Sequence, residues 1–257
     1  KRLFVKGKLP DASKLSVAVV GARNCTPYGR DMARMFSYRL AAAGVFVISG
    51  MALGIDGWGH QGALEAGGET YAVLGSGVMR CYPSCHQNLY ESIVRHGGVI
   101  SEFPVYARAK PVFFPMRNRI ISGLSDGILV VEAREKSGSL ITADAALEQG
   151  KDVFVIPGRI GDELSVGCNR LIRMGAVPVL TPDDILDYYG VKTSDGSRNV
   201  NETEQKILAF LGGKTMHMDE ISAGLSLPMT QLLKCMIVLQ KKGYVIEVGR
   251  NFFMKKI

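Results

Sequence analysis

The stretch SVAVVGARNCTPYG, residues 16–29, decides the fold of this chain. Its first five residues are small or β-branched and predict a strand. The glycine-containing turn that follows should present backbone N–H groups and the Arg23 guanidinium to an anion. We therefore expect an anion-binding loop where this first strand ends.

The pattern of this stretch recurs along the chain. Short β-branched runs alternate with amphipathic stretches, which is typical of a parallel sheet with crossover helices. The predicted strands are residues 16–20, 45–49, 70–74, 99–101, 127–131, 153–156 and 177–180. Glycines directly before strands predict left-handed helix ends at Gly44, Gly68, Gly98 and Gly150.

The pattern changes in the last quarter of the chain. Residues 193–200 are polar and rich in helix breakers, which predicts a linker between a domain at 1–192 and another at 201–257. Three helices at 202–211, 218–224 and 228–242 and a hairpin of 244–247 with 251–254 predict a winged helix. The fold class is therefore α/β: an extended Rossmann-like, mostly parallel sheet with a C-terminal winged-helix domain.

The helix at 228–242 would read duplex DNA in an ordinary winged helix. Its surface is poor in arginine, and an apolar stripe should face the core of its own domain. That stripe consists of Leu232, Leu233, Met236, Ile237 and Leu239. DNA contact and protein contact both remain open for this domain.

Composition limits the choice of cellular compartment and of binding partner. The net charge of +7 and the pI near 9.2 favour a polyanionic partner. Five scattered cysteines argue against a disulfide framework, so we expect the cytoplasm. No apolar run reaches the roughly 18 residues that a membrane span needs, so no membrane is expected. The first residue is Lys1 rather than methionine, which is compatible with a piece of a longer protein.

The first turn does not fit a dinucleotide. Arg23 stands where close approach to a pyrophosphate needs glycine, and no acidic residue ends the second strand to hold a ribose. We expect no cofactor. Cys81, Cys85 and His86 invite a zinc hypothesis, but no second pair of ligands has suitable spacing, so no metal is expected either.

Several further turns follow strands directly. They are 49–56, which contains Gly50, the GSG turn at 75–77, the loop 137–142 and 157–159, which ends in Arg159. Loops after parallel strands emerge at one edge of the sheet, so Arg23, the 137–142 loop and Arg159 should converge there. Such a row of groups suits a polyphosphate chain. Tyr28, Tyr82, Phe113 and Phe114 could stack on bases, with core packing as the alternative.

The order of these motifs resembles the DprA/Smf DNA-processing family over roughly residues 15–180. The motifs are VGAR, SGMALGID, GSG followed by YP, SEFP, FPMRNRII, SGSLITA, and PGR followed by GCNRLI. The resemblance implies a cytoplasmic bacterial homodimer. It also implies that the protein binds incoming single-stranded DNA during natural transformation, protects it and loads a RecA recombinase on it.

The resemblance also implies which residues contact DNA. They are Arg23, Arg117, Arg119, Ser137, Gly138, Ser139 and Thr142, to which we add Gly50, Asn118 and Arg159. Many relatives carry a basic residue just after the YP pair, whereas this chain has Ser84 and Cys85 there, and Arg80 or His86 would have to compensate. In a structural alternative, Arg117 and Arg119 merely pair with Glu132 or Asp126.

Two other function classes compete with DNA binding. A phosphoribohydrolase of related fold needs a glutamate three positions after Thr142, where this chain has Ala145, so we expect no enzymatic activity. A winged-helix regulator with a ligand-sensing Rossmann domain would prefer a particular duplex sequence. Asp56 is expected to cap the start of its helix and His60 to pack or cap on that helix.

Overall fold

The structure is a computed structural model, and it describes residues 2–191, 201–212, 214–241 and 244–255. The chain divides into two compact units, residues 1–192 and 193–257. The predicted linker at 193–200 lies outside the described residues.

The first unit is built on an eight-stranded sheet within residues 2–191. Its strands are β1 (Phe4–Gly7), β2 (Ser16–Val20), β3 (Phe46–Ser49), β4 (Thr70–Val73), β5 (Gly98–Ser101), β6 (Gly127–Val130), β7 (Asp152–Val155) and β8 (Val177–Pro178). Their order is β1-β5-β4-β3-β2-β6-β7-β8, and every pairing is parallel except β1 with β5. This confirms the predicted Rossmann-like α/β fold.

The strand order reverses its direction of growth at β2. The chain adds β3, β4 and β5 on one side of β2 and then returns to place β6 on its other side. In open α/β sheets the loops diverge at such a switch point and leave a crevice at the carboxyl ends of the strands. We call this side of the sheet, where the parallel strands end, the carboxyl edge.

Helices cover both faces of the sheet. They are α1 (Pro27–Ala42), α2 (Ile55–Glu65), α3 (Gln87–His96), α4 (Phe113–Gly123), α5 (Gly138–Glu148), α6 (Val166–Arg173) and α7 (Pro182–Tyr188), with a short 3₁₀ turn at Ser84–His86. Alternate residues of β2 serve the two layers: Val19 packs in the core under α1, and Val20 packs in the core under α4 and α5. The central strand is therefore buried on both sides, as its continuous apolar run requires.

Two of the four predicted left-handed helix ends are confirmed. Gly44 and Gly150 have φ values of +83° and +68°. The prediction was wrong for Gly68, because its neighbour Gly67 takes the left-handed conformation. It was also wrong for Gly98, which is the first residue of β5. A Cβ there would lie 2.2 Å from the carbonyl oxygen of Lys8, so glycine permits close chain approach rather than a helix end.

The second unit contains helices and a small antiparallel sheet in its described part. Its elements are α8 (Glu202–Leu211), β9 (Met216–His217), α9 (Met218–Leu225), α10 (Met229–Lys241), β10 (Val245–Gly249) and β11 (Phe252–Lys255), with strand order β10-β11-β9. These bounds lie close to those predicted. The assignment of this unit as a winged-helix domain stays a prediction.

The apolar stripe predicted for α10 was partly wrong. Leu232, Met236 and Leu239 are buried in the core of the second unit, whereas Leu233 and Ile237 are exposed. Successive helical residues are rotated by about 100°, so residues next to the buried positions turn away from the core.

No single helix in the described ranges is long and apolar enough to span a membrane, and only the bent pair Met218–Leu225 with Met229–Gln240 meets those criteria when taken together.

Candidate nucleic-acid interface at the carboxyl edge

A cavity of about 530 Å³ opens at the carboxyl edge, at the switch point between β2 and β6 where the strand order reverses. Its walls come from the loop after β2, the first turns of α4, and the connection from β6 into α5. Seven of the ten predicted contact residues line it: Arg23, Arg117, Asn118, Ser137, Gly138, Ser139 and Thr142. The cavity therefore joins parts of the chain more than a hundred residues apart in sequence.

The loop after β2 is closed by a carboxylate of the protein itself. The N–H of Thr26 donates to Glu132 Oε2 at 2.9 Å, and the Thr26 hydroxyl donates to the other oxygen of the same carboxylate. The N–H of Ala22 donates to the Glu132 carbonyl oxygen at 2.8 Å. Gly29 leaves the space, because a Cβ there would lie 2.3 Å from the carboxylate. The N–H groups expected to receive an external anion therefore hold Glu132, and Arg23 remains exposed beside them.

The loop after β3 is closed in a similar way by Asp56. Its Oδ2 accepts from the N–H of Gly50 at 3.1 Å. Asp56 thus organises the preceding loop, while Gly54 occupies the cap position of α2, so the predicted helix-capping role was wrong. Burial raises the pKa of the Asp56 carboxyl, and Arg117 and the N–H groups of Ala52 and Gly50 oppose that rise.

Arg117 has an internal position under this loop. Its side chain is 4% exposed, and Nη1 donates to the carbonyl oxygens of Gly50, at 2.8 Å, and Val73. Gly50 has to lack a side chain, because a Cβ would lie 2.4 Å from the guanidinium. Burial lowers the pKa of Arg117 to about 10, so it stays protonated at neutral pH. Arg117 therefore links the loop after β3 to the end of β4, and its role in DNA contact stays a prediction.

The ion pairs suggested as alternatives for the two arginines of α4 were wrong. Arg117 lies beside Asp56, and Arg119 pairs with Glu102. Glu132 is engaged with Thr26, and Asp126 accepts from the backbone and hydroxyl of Ser16. These partners could not be predicted from local sequence, because they lie on loops that approach one another only in the folded sheet.

The turn before α5 differs from the other two because it remains open. Ser137 caps the helix, with its Oγ 3.4 Å from the N–H of Ser139 and 2.8 Å from the Ser139 hydroxyl. Asn118 Nδ2 holds the turn by donating to the Gly138 carbonyl oxygen at 3.2 Å. Gly138 is exposed, and a Cβ there would meet nothing within 4 Å. The positive end of α5 therefore faces accessible space.

Two cations precede this turn and line the cavity: Arg134 and Lys136, both exposed. Arg134 lies 3.3 Å from Glu163, whereas Lys136 makes no ion pair within residues 2–191. Neither residue was predicted as a contact from the sequence. They come directly after β6, and the rule that gathers loops at the carboxyl edge would have found them.

Aromatic rings form part of the cavity wall. The Arg23 guanidinium lies 5.1 Å from the Phe114 ring centroid, and the Tyr82 ring lies 5.4 Å from Phe114. Phe113 instead stacks on Phe103 at 3.9 Å, which is the packing alternative. Tyr82 and Phe114 are therefore the predicted aromatic residues that the cavity can present to a base.

Three predicted contact residues do not line the cavity. Gly50 lies behind Arg117, Arg119 is tied to Glu102, and Arg159 is exposed on the loop after β7. The structure thus brings Arg23 and the 137–142 loop together without Arg159.

His60 packs inside the first unit, as expected. Its Nδ1 lies 2.6 Å from the Thr70 hydroxyl, which itself donates to the Val47 carbonyl oxygen, so Nδ1 must carry the proton. Burial lowers the pKa of His60 to about 3. Across the described residues, no group of three or more His, Cys, Asp or Glu side chains could hold a metal ion.

Comparison with known proteins places this architecture in a family. The model of the family described as DNA recombination-mediator protein A matches residues 1–190. Protein Smf of Escherichia coli K12 is 38% identical over 97% of this chain and 70% of its own length. The chain spans about two thirds of the length of such curated relatives, 66% for the Bacillus subtilis protein and 65% for the Streptococcus pneumoniae protein.

Two solved structures are similar to this chain over about three quarters of its length. The X-ray structure of DNA processing protein A from Streptococcus pneumoniae has a TM-score of 0.68 and 41% identity, covering 72% of this chain and 65% of that one. DNA processing protein A from Helicobacter pylori, solved to study its single-stranded DNA binding mode, has a TM-score of 0.68 and 28% identity, covering 74% and 86%. The chain therefore belongs to the DNA recombination-mediator protein A family, as its ordered motifs indicated.

Proposed function

We propose that the first unit binds single-stranded DNA along the carboxyl edge. The observation that carries this proposal is the cavity at the switch point, where Arg23, Lys136, the open turn before α5 and two aromatic rings line one space. The Helicobacter pylori relative, which has a single-stranded DNA binding mode, supports it.

Each component of the cavity suits one part of a nucleotide chain. Arg23 and Lys136 supply positive charge on two different loops, and the first N–H groups of α5 suit a phosphate oxygen. Tyr82 and Phe114 supply flat surfaces for an unpaired base. A base inside a duplex is already stacked and paired, so it cannot reach these rings. We expect single strands to bind more tightly than duplex, with little sequence preference.

The test is a titration of fluorescent single-stranded and duplex oligonucleotides of equal length at several salt concentrations. The logarithm of the affinity should fall with the logarithm of the salt concentration by about 0.7 for each phosphate neutralised. Affinity that ignores salt would exclude phosphate contact. A strong preference for one duplex sequence would instead favour the winged-helix regulator.

We further propose that the protein is a binding protein rather than a hydrolase. The position that would supply the acid is Ala145, and the buried carboxylates of Asp56 and Glu132 are held by backbone N–H groups. Incubation with nucleoside monophosphates should release no free base. Release that disappears on substitution of Thr142 or Asp144 would restore the hydrolase hypothesis.

We propose that in the cell this cytoplasmic protein acts in natural transformation as a homodimer that protects incoming DNA and loads a RecA-type recombinase on it. A dimer with two basic sites holds two segments of one strand and raises their local concentration. Membership of a recombination-mediator family supports this role. The measurement is DNA-dependent ATP hydrolysis by the recombinase on strands already covered by a single-strand-binding protein. No stimulation by this chain, or equal stimulation by an Arg23→Ala, Arg119→Ala double variant, would contradict it.

A further inference from the structure

Trp58 is the single tryptophan of the chain, and it is not part of the core. Its side chain is 38% exposed on the first turn of α2. Tryptophan is highly buried on average in folded proteins, and an exposed ring with a free N–H is typical of a contact surface. No acceptor for the Trp58 indole N–H is found within residues 2–191.

The start of α2 contacts the loop that carries Arg23, which lines the cavity. The N–H of Ile55 donates to the Ala22 carbonyl oxygen at 3.2 Å. Gly54 lies so close to the loop after β2 that a Cβ would be 2.3 Å from the carbonyl oxygen of Arg23. The N–H of Trp58 in turn donates to the Gly54 carbonyl oxygen at 3.1 Å. One helical turn therefore connects Trp58 to the loop that carries Arg23.

Two glycines of α2 allow the helix to pack closely on α1 and β2. A Cβ at Gly62 would lie 2.2 Å from the Arg34 carbonyl oxygen, and one at Gly59 would lie 3.3 Å from Val19. These positions of α2 admit only small residues. Trp58 lies one helical turn before Gly62 along the same seam between α1 and α2, where the Arg30 guanidinium of α1 lies 5.7 Å from its ring centroid.

We propose that Trp58, with Arg30 beside it, is a stacking platform for a base of the single strand that leaves the cavity past Arg23. This inference rests on the proposed function, and it extends the path of the bound strand onto the first turns of α1 and α2. The indole face stacks on any base, and the Arg30 guanidinium, whose Nε pairs with Asp31 at 2.9 Å, supports the ring through a cation–π contact. The platform would add a nucleotide to the bound segment without adding base selectivity.

The single tryptophan makes a direct test possible. Titration with oligothymidylate should quench the Trp58 fluorescence and saturate at the concentration at which labelled oligothymidylate reaches full anisotropy. An oligonucleotide of equal length with abasic sites throughout keeps the phosphates and removes the bases, so it should quench much less. Equal quenching by the abasic strand would overturn stacking. Unchanged tryptophan fluorescence while anisotropy shows binding would overturn the inference and leave the proposed function standing.

Variants give an independent measurement. Trp58→Ala should weaken oligothymidylate binding about tenfold, and Trp58→Phe should weaken it less, because a smaller ring still stacks. Tyr38→Ala is the matched control. Tyr38 is 44% exposed on α1 but lies about 12 Å further along the helix than Arg30, so its loss should leave affinity unchanged.

Thermal melting of Trp58→Phe checks that the fold is retained. Equal affinities for the wild type, Trp58→Ala and Tyr38→Ala would show that the ring is a surface residue without a role in binding. Absence of any single-strand binding by the wild-type chain would instead contradict the proposed function itself.

Discussion

Two loops at the carboxyl edge hold a carboxylate of the protein, and a third, of similar sequence character, holds none from residues 2–191. The loop after β2 holds Glu132, and the loop after β3 holds Asp56. The turn between β6 and α5, at Ser137 and Gly138, has accessible space in front of it. All three are small-residue turns after parallel strands, where backbone N–H groups favour an anion. The comparison teaches that a turn sequence predicts an anion site but does not predict whose anion fills it.

The difference has a physical origin in burial. Buried N–H groups have to be paired, so the two inner loops recruit carboxylates, one from six residues away and one from a strand end 106 residues away. The turn before α5 is at the surface, where water or a ligand can satisfy it. Filled loops should therefore control stability, and the open loop should control binding.

The largest expected effect on stability comes from removing the carboxylate that the loop after β3 holds. Asp56→Ala leaves the buried Arg117 cation without its counter-charge, so we expect a loss of about 3–5 kcal/mol in the free energy of unfolding. Chemical denaturation measures it. Asp144→Ala, which removes an exposed carboxylate from α5, should change stability by less than about 0.5 kcal/mol. Similar midpoints for both variants would show that Asp56 does not hold the loop.

The second effect concerns the space that Glu132 occupies. Gly29→Ala should destabilise the protein by about 1–3 kcal/mol, although alanine ordinarily favours a helix, because its Cβ would overlap the Glu132 carboxylate. In a Glu132→Ala background this cost should largely disappear, and a double-mutant cycle measures the coupling. Gly123→Ala is the matched control on α4, where the atom nearest to a Cβ would be Gln149 Oε1 at 3.6 Å. Additive effects of the two substitutions would mean that the position of the Glu132 carboxylate does not require a glycine at residue 29.

The third effect separates binding from stability at the open loop. Arg23→Ala and Lys136→Ala should each weaken single-strand binding by about 1–3 kcal/mol and remove about one phosphate from the salt dependence. Both variants should melt like the wild type. Arg95→Ala, at the far end of α3, should change neither property. A variant at the cavity that unfolds before it loses DNA would assign that cation to the structure.

The smallest effect is expected for the predicted contacts outside the cavity. Arg119 is already paired with Glu102, and Arg159 does not line the cavity, so substitution of either by alanine should weaken binding less than Arg23→Ala does. Parallel titrations of the three variants at one salt concentration measure the ranking. A loss at Arg159 as large as at Arg23 would show that the strand follows the loop after β7 as well.

Local sequence was sufficient to predict strands β2 to β8, though not β1, and the shared edge of their loops. The run at 16–20 is β2 with the same bounds, and Arg23 and Ser137 line one cavity. It was insufficient wherever a partner comes from a distant segment. Burial of Arg117 depends on Gly50 lacking a side chain, and Glu132 reaches the first loop only because β6 pairs beside β2. Such contacts follow from strand order, which periodicity does not specify.

The Glu132 carboxylate also competes with any free anion for the start of α1. In dinucleotide-binding relatives of this sheet, that helix end receives a diffusing pyrophosphate. Here the occupant is tethered to β6, and a tethered group has an effective concentration far above that of a free metabolite. A nucleotide would have to displace Glu132 from Thr26 before it could bind. The protein thus carries, within its own chain, a competitor for any free phosphate at this helix end.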